Sequence, residues 1–209
     1  MLRDAVLNVI IVACSLALHE WGHAIVADRL GDDTPRLQGR VTLNPLVHID
    51  PIGTILVPLL GALGVFGRFS AIGWAKPIQT NPSRFRNGYR DQALVTMAGP
   101  AMNLGLAFFA TIVAAMAHRF YPPMEELLVL ILQINVALAV FNLLPIPPLD
   151  GSKFLMYWFG MSEETYLQIS RWSQFLLLVL VNTTFFRILL GALIGLATKP
   201  FEIIYGILA

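Results

Sequence analysis

Charge is scarce in this chain: 13% of its residues are Asp, Glu, Lys or Arg, against about 25% in an average soluble domain. Hydrophobic residues make up 56% of the 209. A soluble core of this size cannot hide that much apolar surface, so the chain reads as an integral membrane protein. A basic excess is missing as well. The net charge of +1 argues against nucleic acid as a partner. Cysteine is nearly absent. The single Cys14 excludes an intrachain disulfide and a Cys-rich zinc site, and it reads as a packed thiol. There are no repeats or low-complexity tracts, and residues 1–209 read as one membrane-embedded domain. The first apolar run follows Arg3, but no small-x-small cleavage site comes after it. It reads as a retained membrane helix rather than a signal peptide.

Long runs free of charge are what the chain does have. Ala5–Leu18 continues, past one glutamate, to Ala27. Pro51–Gly67, Gln92–His118 and Leu127–Leu149 follow, then Trp172–Phe186 and, after Arg187, Ile188–Thr198. The expectation is an all-α polytopic membrane protein of about five to six membrane helices, each needing about 20 apolar residues. Arg187 reads as the mark of a turn between two final helices. Pro51–Gly67 is short, at 17 residues, and contains Pro58. Two flanking pieces, Arg36–Leu43 with partial alternation and Ala71–Ile78 rich in Gly and Pro, predict a small surface β-sheet. The connector Arg68–Arg90 carries five basic residues and no acid, which places it in the cytoplasm. The connector His118–Glu126, with Glu125 and Glu126, belongs outside.

Within the first run stands His19-Glu20-Trp21-Gly22-His23. On a helix, residues four apart share a face. Two imidazoles on one face can hold zinc, and the glutamate beside the first can serve as a base toward water. By residue frequencies such a motif arises by chance in roughly one chain in a hundred or two. Its apolar setting raises the cost of a chance reading, because buried histidines and carboxylates need partners. A catalytic zinc takes three protein ligands and leaves one position open. Asp150 is the candidate for the third. It lies next to last in Asn142-Leu143-Leu144-Pro145-Ile146-Pro147-Pro148-Leu149-Asp150-Gly151, where prolines break an apolar helix and broken backbone at membrane depth marks a protein-lined or wet cavity. Asn103, after a Gly-Pro pair, reads as glue between helices. His48, before Asp50-Pro51, reads as a turn residue, and His118 as interfacial.

Together, the His19–His23 motif and the Asn142–Gly151 segment resemble the site-2 protease family of intramembrane zinc metalloproteases. Gly99-Pro100-Ala101-Met102-Asn103 resembles another recurrent piece of that family, as do Leu43-Asn44-Pro45 and His48-Ile49-Asp50-Pro51. With neither a PDZ nor a CBS domain, the chain resembles the minimal, core-only members. The resemblance implies one zinc ion per chain, held by His19, His23 and Asp150, with Glu20 as general base. It also implies that Asn142 is a hydrogen-bond donor to the substrate carbonyl or its oxyanion.

Parity links the ligands to the fold. If Pro51–Gly67 crossed the membrane, Asp150 would end across the bilayer from His19 and His23. Its 17 residues reach about 25 Å as a helix, short of a core of about 30 Å. The expectation is therefore a short re-entrant segment, with the site nearer the cytoplasmic side of a prokaryotic plasma membrane. The function expected is zinc-dependent endoproteolysis of transmembrane protein or peptide substrates within the lipid bilayer. The alternative class is a membrane metal transporter or metal sensor, although such transporters more often carry inverted repeats.

Overall fold

The computed structural model describes residues 2–62 and 73–209. Among these, the α-helices are α1 (Leu2–Arg29), α2 (Thr34–Leu37), α3 (Val57–Ala62), α4 (Tyr89–His118), α5 (Pro122–Asn142), α6 (Lys153–Phe159), α7 (Glu163–Leu180) and α8 (Thr184–Leu208). α1 runs unbroken because no proline interrupts it, and Asp4 in its first turn and Arg29 in its last complement the helix dipole. Pro122 starts α5 at a position where a missing N–H costs nothing. The proline-rich stretch that begins at Pro145 follows its end.

The core is a bundle of α1, α4 and α5. Descending α1 from His23 to Gly22 to His19, the contacts on α4 ascend through Val95, Ala98 and Asn103. The two helices are therefore antiparallel, and the connector between them leaves and returns at one end. α5 runs back along α4 and delivers Asp150 to that same end. This is the parity expected if the segment after Pro51 does not cross. Gly22 allows the close approach of α1 to α4, since a Cβ there would collide with Met102 and the Ala98 carbonyl.

Several expectations are corrected. Four helices, not five to six, are long and apolar enough to cross a membrane among the described residues: α1, α4, α5 and α8. α7 falls short because its first half is polar, with Glu164, Gln168 and Arg171. The turn expected at Arg187 lies earlier. The helix breaks over 181–183, where the Thr183 hydroxyl caps α8, and Arg187 sits one turn inside α8. The described part of the short segment is a π-helical turn, Pro51–Leu56, running into α3, while residues 63–67 of that expectation lie outside the described residues. Cys14 is exposed on α1 rather than packed.

No β-strand is found among the described residues. Of the two pieces expected to pair, the first folds locally instead. Pro35 opens α2, and Gly39, at φ 69°, follows its end. Residues 71 and 72 of the second lie outside the described residues. The rest, residues 73–78, runs on to 81 without a turn or bend, but its N–H groups go elsewhere. Trp74 donates to the Gly53 carbonyl (3.1 Å) and Lys76 to that of His48 (2.9 Å). At its far end, Asn81 N–H donates to the fully buried Asp32 carboxylate at 2.6 Å. The segment is thus a strap across the bundle end, pinned on both sides. Asn44 and Asp50 act as caps, each accepting from the N–H groups of a short helix that begins with proline.

Candidate metal centre

The structure brings three of the sequence-predicted ligands together. His19 and His23 lie one turn apart near the C-terminal end of α1, and Asp150 opens the 3₁₀ turn that follows α5. Their ligand atoms gather within 4.8 Å of one another. His19 Nε2 and His23 Nε2 are 3.0 Å apart, and Asp150 Oδ2 is 3.0 Å from the first and 3.1 Å from the second. Each of the three residues is less than a tenth exposed.

The neighbours of the histidines decide which ring nitrogen carries hydrogen. His23 Nδ1 lies 2.7 Å from the Val95 carbonyl. A carbonyl only accepts, so this nitrogen is the N–H and Nε2 holds the lone pair. His19 Nδ1 lies 2.6 Å from Asn103 Oδ1. The amide orientation here is set by a buried chain. Asn135 Nδ2 donates to the Ile131 carbonyl at 2.8 Å and to Ser15 Oγ at 3.0 Å. Its oxygen therefore faces Asn103 Nδ2, at 2.9 Å. That leaves Asn103 Oδ1 to accept from His19, and Nε2 of His19 is bare as well.

With both rings neutral, two imidazole lone pairs and a carboxylate oxygen face one another. A cation resolves that arrangement. Two nitrogens and one oxygen suit zinc, and the spacing fits too. Donors at about 2.0–2.1 Å from a tetrahedral zinc stand about 3.3–3.4 Å apart, close to the 3.0–3.1 Å seen here. Gly99 keeps the place open, since a Cβ there would lie closer than 3.0 Å to Nε2 of both histidines.

Glu20, beside His19, faces a cavity of about 730 Å³ that it shares with His19, His23, Asn142 and Asp150. The strap reaches it directly, for Ile78 N–H donates to Glu20 Oε2 at 3.0 Å. Asn142 Nδ2 donates to the Leu138 carbonyl at 2.9 Å. Its other amide hydrogen has no partner among the described residues. His48 is buried elsewhere, with Nε2 on the Thr42 carbonyl at 3.0 Å, and takes no part in the cluster. His118 pairs with Glu125 and Tyr205 near the other end of α4.

Sequence reasoning missed Asn135, Ser15, Lys153 and the strap. Lys153 Nζ lies 2.9 Å from Asp150 Oδ1. Asn103 was read as helix glue, and it is that and also the partner of His19, a candidate ligand. For Asn135 a signal was present, a carboxamide in the middle of an apolar run. The Ile78 contact uses only backbone and leaves no mark in the sequence.

The sequence also matches known proteins. The profile of peptidase family M50 matches residues 120–181, which include α5, Asp150 and α7. YwhC of Bacillus subtilis, provisionally named a zinc metalloprotease, is 39% identical over 155 residues, 70% of this chain and 66% of that protein. Rip2 of Mycolicibacterium smegmatis, named in the same way, is 35% identical over 141 residues, 66% of this chain and 51% of that protein. The Mycobacterium tuberculosis Rip2 is 33% identical over 142 residues, again 51% of its length. The chain thus spans about two thirds of the first relative and about half of the others. No solved structure matches it. With its two motifs folded into one cluster and these relatives alongside, the chain belongs to peptidase family M50, the site-2 protease family that those motifs resemble.

Proposed function

We propose that the protein is a zinc-dependent endopeptidase that cleaves transmembrane protein or peptide substrates within the bilayer. The observation that carries this reading is the convergence of His19 Nε2, His23 Nε2 and Asp150 Oδ2, three atoms able to ligate a metal, beside Glu20, which lines the same cavity. Three protein ligands with a fourth position open form a catalytic rather than a structural donor set.

A zinc ion bound there supplies Lewis acidity toward the scissile carbonyl and lowers the pKa of water in its reach. Glu20 lines the same cavity as the ligands and takes the proton of the attacking water. It then returns that proton to the leaving nitrogen. Ile78 N–H holds one oxygen of Glu20, which leaves the other to accept the proton. Asn142 lines the same cavity, and its second amide hydrogen would donate to charge developing on the substrate oxygen.

A transmembrane helix hides its peptide bonds in its own hydrogen bonds, so the substrate has to unwind. The extended strap 73–81, with Pro77 unable to donate, offers an edge along which an unwound segment can lie. The site stands at the end of the bundle where the basic connector emerges, and that excess of positive charge supports a cytoplasmic site.

Purified protein in detergent or liposomes should cleave a membrane substrate whose helix carries a destabilising residue. Glu20→Gln should keep zinc and lose cleavage, and unchanged cleavage in that variant sinks the assignment of the base. Metal-loaded liposomes separate transport from proteolysis. Zinc flux without peptide cleavage would overturn the enzyme reading.

A further inference from the structure

Asp150 presents its two oxygens to different partners. Oδ2 faces the histidines, at 3.0 Å from His19 Nε2 and 3.1 Å from His23 Nε2. Oδ1 takes the ammonium of Lys153, at 2.9 Å. We propose that Lys153 is a positioning residue that keeps Asp150 a one-oxygen ligand, and so keeps the fourth metal position open. This rests on the zinc reading given above and names a residue that the reading does not use.

The local backbone sets up the division. Asp150–Ser152 is a 3₁₀ turn that passes directly into α6, so Asp150 and Lys153 are three apart on one face. Ser152 is fully buried. Its hydroxyl donates to the Leu149 carbonyl at 2.6 Å and meets Tyr166 Oη at 2.9 Å. These bonds tie the turn to α7, and the lysine stem starts from a fixed point. The side chain stands between two cavities, that of about 730 Å³ with the ligands and a smaller one of about 150 Å³ lined by His23, Gln92, Thr96, Tyr157 and Tyr166. That placement accounts for its 39% exposure although it sits deep in the site.

A lone carboxylate has two equivalent oxygens, and zinc accepts a fifth bond readily. Asp150 without a partner on Oδ1 is therefore free to close on the metal with both oxygens and fill the position that substrate needs. A cation on Oδ1 makes the two oxygens unequal. It also offsets the second carboxylate of the site, Glu20, in a region where charges are poorly screened. Partners behind first ligands set ligand orientation, and their loss typically costs about 10–100-fold in metal affinity.

The test uses the full chain in detergent, loaded with Co²⁺ as the probe, because cobalt absorption separates four- from five-coordinate sites. Wild type and Lys153→Arg should give the intense visible bands of four ligands. Lys153→Met, of similar length and uncharged, should give the weaker five-coordinate spectrum and a zinc affinity lower by roughly 10–100-fold in chelator competition. A Lys153→Met spectrum and affinity equal to wild type overturn the proposal. Should that variant fail to fold, the wild type alone decides. The carboxylate stretches in the zinc-minus-apo infrared difference spectrum should be widely split, as for one-oxygen binding, and a narrow, chelating splitting overturns the proposal. Absence of zinc binding by the wild type would remove the metal reading itself, an outcome distinct from either.

Discussion

Asn103 Oδ1 lies 2.6 Å from His19 Nδ1, across the α1–α4 contact. The pair ties the lone pair of a candidate ligand to residues on three helices. Asn103 is itself held by Asn135 of α5, and Asn135 by Ser15 of α1. All four residues are less than a twentieth exposed. A buried polar chain of this kind is stable only when every member is satisfied, and its last member here is the histidine.

Replacing Asn103 by Ala therefore removes the acceptor that fixes the His19 tautomer. Zinc affinity is expected to fall about 10–100-fold, read by competition with a chromophoric chelator. Asn135→Leu leaves Asn103 in place but frees its amide to flip, so a smaller loss is expected. Equal zinc affinity in Asn103→Ala and wild type would show that the contact carries no metal function.

The strap gives a second prediction. Ile78→Pro deletes the one N–H that reaches Glu20 Oε2. A hydrogen bond to a charged group contributes about 1.5–3 kcal/mol. If that is felt in the transition state, kcat should drop roughly 10- to 150-fold. Zinc content should not change, because no ligand is touched. A variant that lost zinc together with activity would place the strap's role in folding instead.

The candidate ligand set was legible because its chemistry is carried by side chains at informative spacing. His19 and His23 are one helical turn apart, and Asp150 stands out because a carboxylate after three prolines in an apolar stretch is hard to explain otherwise. The site's supports were less legible. Asn135 lies 32 residues from Asn103, and nothing in either position says that they meet. The expected sheet failed for a local reason. Partial alternation over 36–43 was outweighed by Pro35 starting a helical turn and Gly39 ending it. The strap's N–H groups found partners in the 48–53 loop and Glu20, so no second strand was required. The excess of expected membrane helices has a similar cause, since hydrophobic runs were counted without the polar first half of α7.

Metal removal supplies a third prediction. The wild-type chain should bind one zinc, lose cleavage on dialysis against a chelator and regain it on zinc addition. Asp150→Ala leaves two imidazoles from one helix turn, and a two-ligand site should hold zinc too weakly to survive gel filtration. Full zinc retention in Asp150→Ala would remove the third ligand and, with it, the functional meaning of bringing the end of α5 to α1.

Gly99 offers the sharpest separation of shape from chemistry. A Cβ at this position would lie closer than 3.0 Å to the metal-facing nitrogen of both histidines, whereas a Cβ at Gly105, on the same helix, meets nothing within 4 Å. Glycine-to-alanine exchange in a helix interior otherwise stabilises by about 0.5–1 kcal/mol. Gly105→Ala is thus expected to keep zinc and activity and to melt no lower than wild type. Gly99→Ala adds the same single methyl group but places it where the metal would sit, so zinc content and cleavage should both collapse while the helix content by circular dichroism stays the same. The pair is read by elemental analysis of zinc per chain and by far-ultraviolet spectra of the same samples. A Gly99→Ala protein with a full complement of zinc would mean that the metal does not lie between His19, His23 and Asp150.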